Sequence, residues 1–308
     1  MMFARVLGVA SVVCLSWLLV GCGGNGGGGD GLTLSEQYQA AMAEPNPGTK
    51  VIQLVAVARQ QEDAGDAGGA EQSLKDAVAA ANTITDDPFG QASAFADIAE
   101  MQGYCGLRGS ARDNIQVARD LQETIENPKN RVAVLCKVSL VYGLYLEKLI
   151  AAKAFMDEAK GLVDELQDPV DKVDGLMDLA QTCQHAGNAE QADAMVAAAI
   201  EAANAIERPR DRCDVITRVA SRLVAMNQQE KAVARFEEAI AATQLIETPE
   251  SQAFALAEIG LAMGQSGLYD RAEALFEKAG DLAYKEVTDT GLQAEITQTI
   301  DRYRGLLQ

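Results

Sequence analysis

The sequence contains no convergent set of unlike side chains that could support catalysis or bind a metal. Its 308 residues contain one histidine, His185, which lies in a predicted turn just before Gly187. The H-E-x-x-H, G-x-S-x-G and Walker patterns are absent. A single G-x-G-x-x-G, residues 24–29, neither follows a predicted strand nor begins a βαβ unit, so we do not interpret it as a nucleotide site. We therefore expect no catalytic residues, no metal and no cofactor.

Cys22 is the residue whose surroundings indicate a specific chemical modification. Arg5 precedes an apolar run, residues 6–20, that is too short for a comfortable transmembrane helix but is typical of a secretory signal peptide. The run ends in Leu-Val-Gly-Cys, residues 19–22, which resembles the lipobox of bacterial lipoproteins. The resemblance implies removal of residues 1–21 as a signal peptide and lipidation of Cys22, which would then anchor the protein in a membrane.

A glycine-rich segment, residues 23–31, follows the cysteine. Such chain is flexible, with a root-mean-square reach of about 15–18 Å for nine residues. We predict a lipidated cysteine and tether over residues 22–32 that holds the folded part close to a membrane. Gly23 differs from the aspartate that commonly retains lipoproteins in an inner membrane. The family resemblance therefore implies the periplasmic face of the outer membrane in a Gram-negative cell, and an extracytoplasmic membrane face otherwise.

The charge of the chain is strongly acidic. It contains 45 Asp and Glu against 26 Lys and Arg, a formal net charge of -19, and no basic stripe. Such a surface repels phosphate backbones, so we do not expect nucleic-acid binding. The acidity favours solubility and basic partners, and it also fits an ordinary solvated exterior.

The prolines reveal the architecture, because six of the seven recur at steps of 40 or 41 residues. They are Pro47, Pro88, Pro128, Pro169, Pro209 and Pro249. The preceding residues are Asn46, Asp87, Asn127, Asp168, Arg208 and Thr248. Five of these are good N-caps, and proline suits the first helical position. Each proline is therefore predicted to start a helix, with a weaker cap at Arg208.

A second repeated pattern, of alanines and larger apolar residues, follows each proline. Alanines recur at 70, 111, 152, 192, 232 and 272, each with a larger apolar residue four positions later and another alanine after three more. This spacing places all three on one face of a second helix. Self-similarity at a fixed period is the signature of a solenoid, in which helix pairs bury their apolar faces only by stacking.

The sixth repeat resembles the tetratricopeptide (TPR) pattern most closely. It contains Leu256-x2-Ile259-Gly260-x2-Met263, followed by Ala272-x3-Phe276 and then Ala279. The resemblance covers about residues 47–290 and implies a right-handed, all-α solenoid of about six helix-turn-helix repeats. The period of 40 rather than 34 residues and the missing tryptophan depart from the family pattern, and a HEAT-like solenoid is the alternative fold.

The predicted organisation follows from these registers. Thr33 and Glu36 form a possible capping box at the start of a capping helix, residues 33–46. The six TPR-like repeats are residues 47–87, 88–127, 128–168, 169–208, 209–248 and 249–290. Residues 291–308 form a second capping helix with one apolar side, which a solenoid needs to shield its last repeat.

Four cysteines follow Cys22, at positions 105, 136, 183 and 213. In the repeat register, Cys136 is offset by nine residues from Cys105, and Cys213 by ten from Cys183. These offsets correspond to about 13–15 Å along a helix, whereas a disulfide needs Cα atoms within about 7 Å. We predict free, mostly buried thiols.

In TPR proteins the first helices line the groove that usually takes partners, and the resemblance transfers that role to these helices. The groove is predicted to include Arg59, Glu100, Tyr104, Leu140, Leu144, Asp174, Met177, Gln181, Gln184, Ser221 and Leu261. Tyr104, Leu140 and Leu144 form the candidate anchor, because apolar groups on an acidic solenoid indicate a contact patch. Arg59 is the only basic residue of the set, unlike the lysine-lined TPR clamps that bind carboxylates.

The sequence thus favours a membrane-anchored, non-catalytic protein–protein interaction scaffold of the bacterial cell envelope. Its protein partners are unknown. One alternative is an accessory subunit of an outer-membrane assembly or pilus/secretion machine. The other, from a different class, is a small cationic ligand-binding protein or an enzyme with a carboxylate-lined site.

Overall fold

The computed structural model describes residues 32–307, and the predictions made for residues 1–31, including the signal peptide and the lipidated Cys22, lie outside this part. Residues 32–307 form fourteen α-helices and no strand. The helices are α1 (Leu34–Ala43), α2 (Pro47–Asp63), α3 (Ala67–Ala81), α4 (Pro88–Tyr104), α5 (Arg108–Gln122), α6 (Pro128–Leu144), α7 (Leu149–Glu165), α8 (Pro169–His185), α9 (Ala189–Asn204), α10 (Pro209–Ala225), α11 (Gln229–Thr243), α12 (Pro249–Gln265), α13 (Tyr269–Glu286) and α14 (Thr290–Leu306). Within the same range, no helix is both long and apolar enough to cross a membrane.

The prediction that each of the six prolines starts a helix is confirmed. At five of these helices the preceding side chain accepts a backbone N–H bond, as Asn46 does from Thr49 at 2.9 Å. Arg208, as predicted, provides no side-chain cap. The capping box of Thr33 and Glu36 is also present. Side-chain capping thus fixes where most first helices begin.

The helices pack as six hairpins with extra helices at the two ends. Each proline-initiated helix packs most closely on the helix that follows it, forming the pairs α2/α3, α4/α5, α6/α7, α8/α9, α10/α11 and α12/α13. Each first helix also contacts the first helix of the next hairpin, and each second helix contacts the first helix that follows it. At the ends, α1 packs on α2, and α14 packs on both α12 and α13. We number the hairpins as repeats 1–6.

The alanine register forms the core of the hairpins. Phe236 and Phe276, at the large position of repeats 5 and 6, are fully buried between alanines that are themselves buried. Repeat 3 is the exception, since Ala152 and Met156 at the start of α7 are partly exposed. The packing of the second helix is therefore weakest at this end of repeat 3.

The hydrophobic core consists of two clusters that meet in repeat 3. One cluster extends from Ala41 to Leu146, and the other extends from Val132 to Ile300. Residues of α6 contribute to both, and Phe155 of α7 packs against both. The solenoid thus has an N-terminal and a C-terminal half, joined through α6 and α7.

The turn between the two helices of each repeat requires one residue with positive φ. Glycine supplies it in four repeats, at Gly65, Gly106, Gly187 and Gly267. Repeats 3 and 5 use Glu147 and Asn227, each with φ of 57°. A glutamate in this conformation is unusual, so the turn of repeat 3 differs from its equivalents.

Candidate interaction surface

The first helices carry a ladder of charges at one repeated position. The tenth residue of each first helix is Ala56, Asp97, Lys137, Asp178, Arg218 and Glu258 in repeats 1 to 6. From repeat 2 onward these charges alternate in sign. Because successive first helices are in contact, the ladder places opposite charges on neighbouring helices of one surface.

In repeats 4–6, arginines and carboxylates of neighbouring helices neutralise one another. The Arg222 guanidinium donates to the Asp178 carboxylate at 2.5 Å, to the Gln181 side-chain oxygen at 3.1 Å and to the Asp174 carbonyl at 3.3 Å. Asp174 also pairs with Arg218 at 3.2 Å and with Lys129 of repeat 3 at 2.7 Å. This part of the surface is satisfied by its own contacts.

The ladder continues into repeat 2 through Lys137. Its ammonium group donates to Asp97 at 2.5 Å. Burial by itself lowers the pKa of Lys137, but the attraction of Asp97 outweighs it, so the pKa is raised and the lysine stays charged. Ala56 of repeat 1 offers no further charge, so Asp97 is the last member of the ladder.

Glu100 lies one turn beyond Asp97 on α4 and is half-buried. No side chain or backbone group in residues 32–307 forms a hydrogen bond or an ion pair of 4.0 Å or less with its carboxylate. Burial raises the pKa of Glu100 to about 7, and the repulsion of Asp97 adds to this effect, while Lys137 and Arg59 oppose it. The surface of repeats 1–3 therefore contains a carboxyl group that lacks a partner.

Two tyrosines border this glutamate. The Arg59 guanidinium lies 3.9 Å from the centre of the Tyr104 ring, and the Tyr104 hydroxyl donates to Asp63 at 2.7 Å. The bond to Asp63 raises the pKa of Tyr104. Tyr145 packs on Gly103, where an added Cβ would lie 2.4 Å from its ring. Burial raises the pKa of Tyr145 to about 12, and nearby Glu100 contributes to the shift, so both hydroxyls stay protonated at neutral pH.

We call Arg59, Asp63, Glu100, Tyr104 and Tyr145 the acidic-aromatic surface. It brings together three of the predicted groove residues, Arg59, Glu100 and Tyr104. Sequence reasoning missed Asp63 and Tyr145, because they lie at the end of α2 and in the turn after α6.

Two predicted groove residues are wrong. Met177 has only 1% of its surface exposed and belongs to the hydrophobic cluster that extends from Val132 to Ile300. Leu140 is 9% exposed, because α6 turns this side chain inward. Leu144, the third member of the predicted anchor, is exposed and lies at the end of α6. The anchor predicted from Tyr104, Leu140 and Leu144 therefore does not form one continuous patch.

The remaining groove residues lie in the C-terminal half. Asp174 and Gln181 are engaged by Arg218 and Arg222 as described above. The Gln184 amide donates to the Met226 carbonyl at 2.5 Å, bridging two neighbouring turns. The Ser221 hydroxyl donates to Thr217 of its own helix, and Leu261 is half-buried on α12.

The charge ladder itself was not predicted, although the sequence contains its signal. Counting nine residues from each proline yields a charged residue in five of six repeats, with alternating sign. Lys137, Asp178 and Arg218 could have been identified from this register. Arg222 has no equivalent charge in the other repeats, so only the folded chain reveals its role.

The thiols are free, as predicted. Cys136, Cys183 and Cys213 are buried, and Cys105 is half-buried. Burial raises the pKa of all four thiols, to about 12 for Cys105 and Cys213. A thiol with such a pKa is protonated at neutral pH and is a poor nucleophile.

His185 is the last residue of α8 rather than part of the following turn. Burial lowers its pKa, so the imidazole is neutral at physiological pH. Among residues 32–307, no three His, Cys, Asp or Glu side chains are arranged to hold a metal ion.

Comparison with known proteins adds structural similarities only. No family model matches the chain, and no curated protein matches it. Ton1535 from Thermococcus onnurineus NA1 is 14% identical, with 87% of this chain and 84% of that chain covered and a TM-score of 0.44. BtubC from P. vanneervenii is 17% identical, with coverages of 69% and 87% and a TM-score of 0.39.

A Signal Transduction ATPase with Numerous Domains from Pyrococcus horikoshii, which has a tetratricopeptide repeat sensor, is 14% identical. The match covers 88% of this chain and 44% of that chain, with a TM-score of 0.33. At these identities and TM-scores the similarities say nothing about function. The helix packing itself defines the class: residues 32–307 are an α-solenoid of TPR-like hairpins. Within that class, this chain is distinguished by its alternating charge ladder and by the acidic-aromatic surface where the ladder ends.

Proposed function

We propose that this chain is a membrane-anchored, non-catalytic protein–protein interaction scaffold of the bacterial cell envelope. The lipobox-like residues 19–22 and the glycine-rich residues 23–31 support an acyl anchor at Cys22 with a flexible tether. By the same resemblance, the proposed location is the periplasmic face of the outer membrane, or another extracytoplasmic membrane face. The solenoid provides an extended surface for partners.

The acidic-aromatic surface is the proposed binding site, and the observation that carries this proposal is the half-buried, unpartnered carboxylate of Glu100. A buried charge without a partner costs stability. In repeats 4–6 the same solenoid neutralises its carboxylates, so an unpaired glutamate in repeat 2 is not a general property of the fold. A cationic group supplied by a partner would remove the cost.

The chemistry of the surface defines the partner. The Glu100 carboxylate attracts a lysine or arginine side chain, and the rings of Tyr104 and Tyr145 offer apolar contact beside it. The partner is therefore a protein segment that presents a basic side chain flanked by apolar residues. Because Lys137 pairs with Asp97 and Arg59 pairs with Asp63 at 3.3 Å, Glu100 is the carboxylate of this surface that has no ion-pair partner within residues 32–307.

The binding proposal is tested with the full chain purified from detergent-solubilised membranes. A partner should copurify and should crosslink to repeats 1–3 through a segment containing lysine or arginine. Glu100→Arg should reduce its recovery at least about tenfold, because it replaces attraction by repulsion. Glu201→Arg, the same charge change on an exposed position of α9, is the matched control and should leave recovery unchanged. Equal recovery with both variants would reject the acidic-aromatic surface as the binding site.

The anchor is tested separately. Mass spectrometry of the membrane-derived protein should show an acylated Cys22 as the first residue. Cys22→Ser should move the protein from the membrane fraction to the soluble fraction. A chain that keeps residues 1–21, or that stays on the membrane after this substitution, would contradict the lipid anchor.

A further inference from the structure

The turn of repeat 3 exposes three aliphatic side chains together, whereas the equivalent positions of the other repeats expose at most one large aromatic residue, such as Tyr104 or Tyr269. Leu149 and Ile150, the first residues of α7, are 73% and 91% exposed, and Leu144 at the end of α6 is 43% exposed. The pairs equivalent to Leu149-Ile150 are Ala67-Gly68, Arg108-Gly109, Ala189-Glu190, Gln229-Glu230 and Tyr269-Asp270. None of these pairs contains two large apolar residues. We call Leu144, Leu149 and Ile150 the apolar tip.

The backbone around the tip is ordered by hydrogen bonds. The Lys148 N–H donates to the Tyr142 carbonyl at 2.8 Å, and the Ala152 N–H donates to the Lys148 carbonyl at 2.9 Å. The Ser139 hydroxyl donates to the Ala152 carbonyl at 2.8 Å. The leucine and isoleucine are therefore held outward by a fixed turn, at an exposure that is costly in water.

The charge near the tip has a small basic excess, in contrast to the acidic chain as a whole. Lys153, one turn into α7, pairs with Asp157 at 2.7 Å, and Arg108, which reaches the turn from α5, pairs with Glu147 at 2.8 Å. Lys148, directly before the tip residues, is exposed and forms no ion pair within residues 32–307. Exposed lysines that flank protruding leucine and isoleucine suit a surface of anionic lipid headgroups, with the apolar side chains inserted below them.

The start of the described chain lies on the same side of the solenoid as the tip. The Tyr38 hydroxyl of α1 donates to Asp76 of α3 at 2.7 Å, and α1 and α3 run in the same direction because both are antiparallel neighbours of α2. Since only residues 44–46 connect α1 to α2, Thr33 lies toward the level at which α3 begins. That level is the edge of the solenoid where first helices end and second helices begin, and the apolar tip lies on this edge.

The distances allow the tip and the proposed anchor to reach one bilayer. The axes of packed helices lie about 8–10 Å apart, so the lateral distance from α2 through α4 to α6 is about 16–20 Å. The eleven residues 22–32 span at most about 36–40 Å when extended. From these observations we propose that the apolar tip inserts into the anionic membrane that holds the acyl anchor, which fixes the orientation of the solenoid. This inference rests on the proposed lipidation of Cys22.

The test uses tryptophan fluorescence of the full chain, taken from bacterial membranes and reconstituted in vesicles of phosphatidylethanolamine and phosphatidylglycerol with brominated acyl chains. The only tryptophan, Trp17, lies in the predicted signal peptide, so Ile150→Trp introduces a single reporter into the processed protein. Tyr284→Trp is the matched control: Tyr284 is 82% exposed but lies near the end of α13, at the opposite edge. We expect the Ile150→Trp emission to be blue-shifted and quenched at least about threefold more than the control.

The results of this experiment test the insertion of the tip and the lipid anchor independently. Acylated protein with equal quenching in the two variants would overturn the insertion of the tip and leave the anchor intact. Protein without an acyl group at Cys22, measured by mass spectrometry on the same sample, would overturn both proposals. A blue shift of Ile150→Trp that occurs in native membranes but not in the vesicles would show that the tip binds a membrane protein instead, and would overturn insertion into lipid.

Discussion

In repeats 4–6, Arg218 and Arg222 are held by Asp174 and Asp178 of the neighbouring repeat, whereas in repeat 2 the half-buried Glu100 has no such partner in the described chain. Both surfaces are built on the same proline-initiated helices and the same 40-residue register. The difference therefore comes from side chains at a few positions, not from the fold. It indicates that the charges on the first helices of repeats 4–6 are satisfied within the solenoid, while the Glu100 carboxylate of repeat 2 is not.

The largest effect on stability should come from removing Arg222, whose guanidinium donates hydrogen bonds to Asp174, Asp178 and Gln181. Arg222→Ala leaves Asp178 without a cation and is expected to lower the free energy of unfolding by about 2 kcal/mol. Denaturant unfolding measures the change. Arg208→Ala, which breaks an exposed pair with Asp211, is the control and should change stability by less than about 0.5 kcal/mol. Similar values for the two variants would show that the ladder does not stabilise repeats 4–6.

The N-terminal half should depend on packing around Tyr145 instead. Gly103→Ala places a Cβ within 2.7 Å of three atoms of Tyr145, so it should displace this side chain and cost about 1–2 kcal/mol. Gly109→Ala, at a helical position with no atom within 4 Å, is the control and should be neutral or slightly stabilising. Thermal unfolding compares the two. A neutral Gly103→Ala would mean that Tyr145 is not fixed in the acidic-aromatic surface.

A pH-dependent effect should follow from the raised pKa of Glu100. The folded state binds a proton more tightly at this site than the unfolded state does, so stability falls as pH rises from about 4.5 to about 7 and stays low above that range. Glu100→Gln removes the charged form and should raise the free energy of unfolding by about 1 kcal/mol at pH 8, with little effect at pH 5. A gain of the same size at both pH values would contradict this origin.

Partner binding should show the opposite pH dependence. A basic side chain pairs with ionised Glu100, so the affinity of the copurified partner should be highest above pH 7.5 and should fall up to about tenfold for each pH unit below 7. Titration of the partner at several pH values measures this slope, and Glu100→Gln should abolish it. A slope that persists in that variant would place the titrating group elsewhere.

The smallest effect on stability is expected at the exposed tyrosine. Tyr104→Phe removes one hydrogen bond to Asp63 on an exposed surface and should cost less than about 0.5 kcal/mol. The comparison of the two halves predicts that the same variant still lowers the affinity for the partner. Stability is followed by thermal unfolding and binding by copurification, and a large loss of stability would instead assign Tyr104 a structural role.

The solenoid could be predicted from the sequence because its signals are local. A capping residue followed by proline determines where a first helix begins. Two alanines seven residues apart, with a larger apolar residue between them, determine which face of the second helix is buried. These patterns are repeated six times, so the loss of one, such as the cap at Arg208, does not obscure the period.

The interaction surface was only partly predictable, because it depends on contacts between repeats. Met177 and Leu140 lie on first helices whose exposed face carries both apolar and polar residues. Whether such an apolar side chain points into the core depends on how the whole helix is rotated against its neighbours. Leu149 and Ile150 look like ordinary core residues in the sequence, and only the weaker packing of α7 leaves them exposed. Glu100 likewise lacks an ion-pair partner because Lys137 and Arg59 pair with other groups, which the residues around Glu100 in the sequence do not indicate.

The division of the core in repeat 3 has a mechanical consequence. A pull on the N-terminus loads the stacked repeats in series, so the weaker unit yields first. The apolar cluster of the N-terminal half is smaller than the cluster that it joins through α6 and α7. In a stack where each unit contacts only its neighbours, such a joint separates two units of unfolding. Under tension along the chain, the N-terminal half would therefore unravel while repeats 4–6 stay folded. With the proposed acyl anchor, the N-terminal half would act as an extensible link to the membrane.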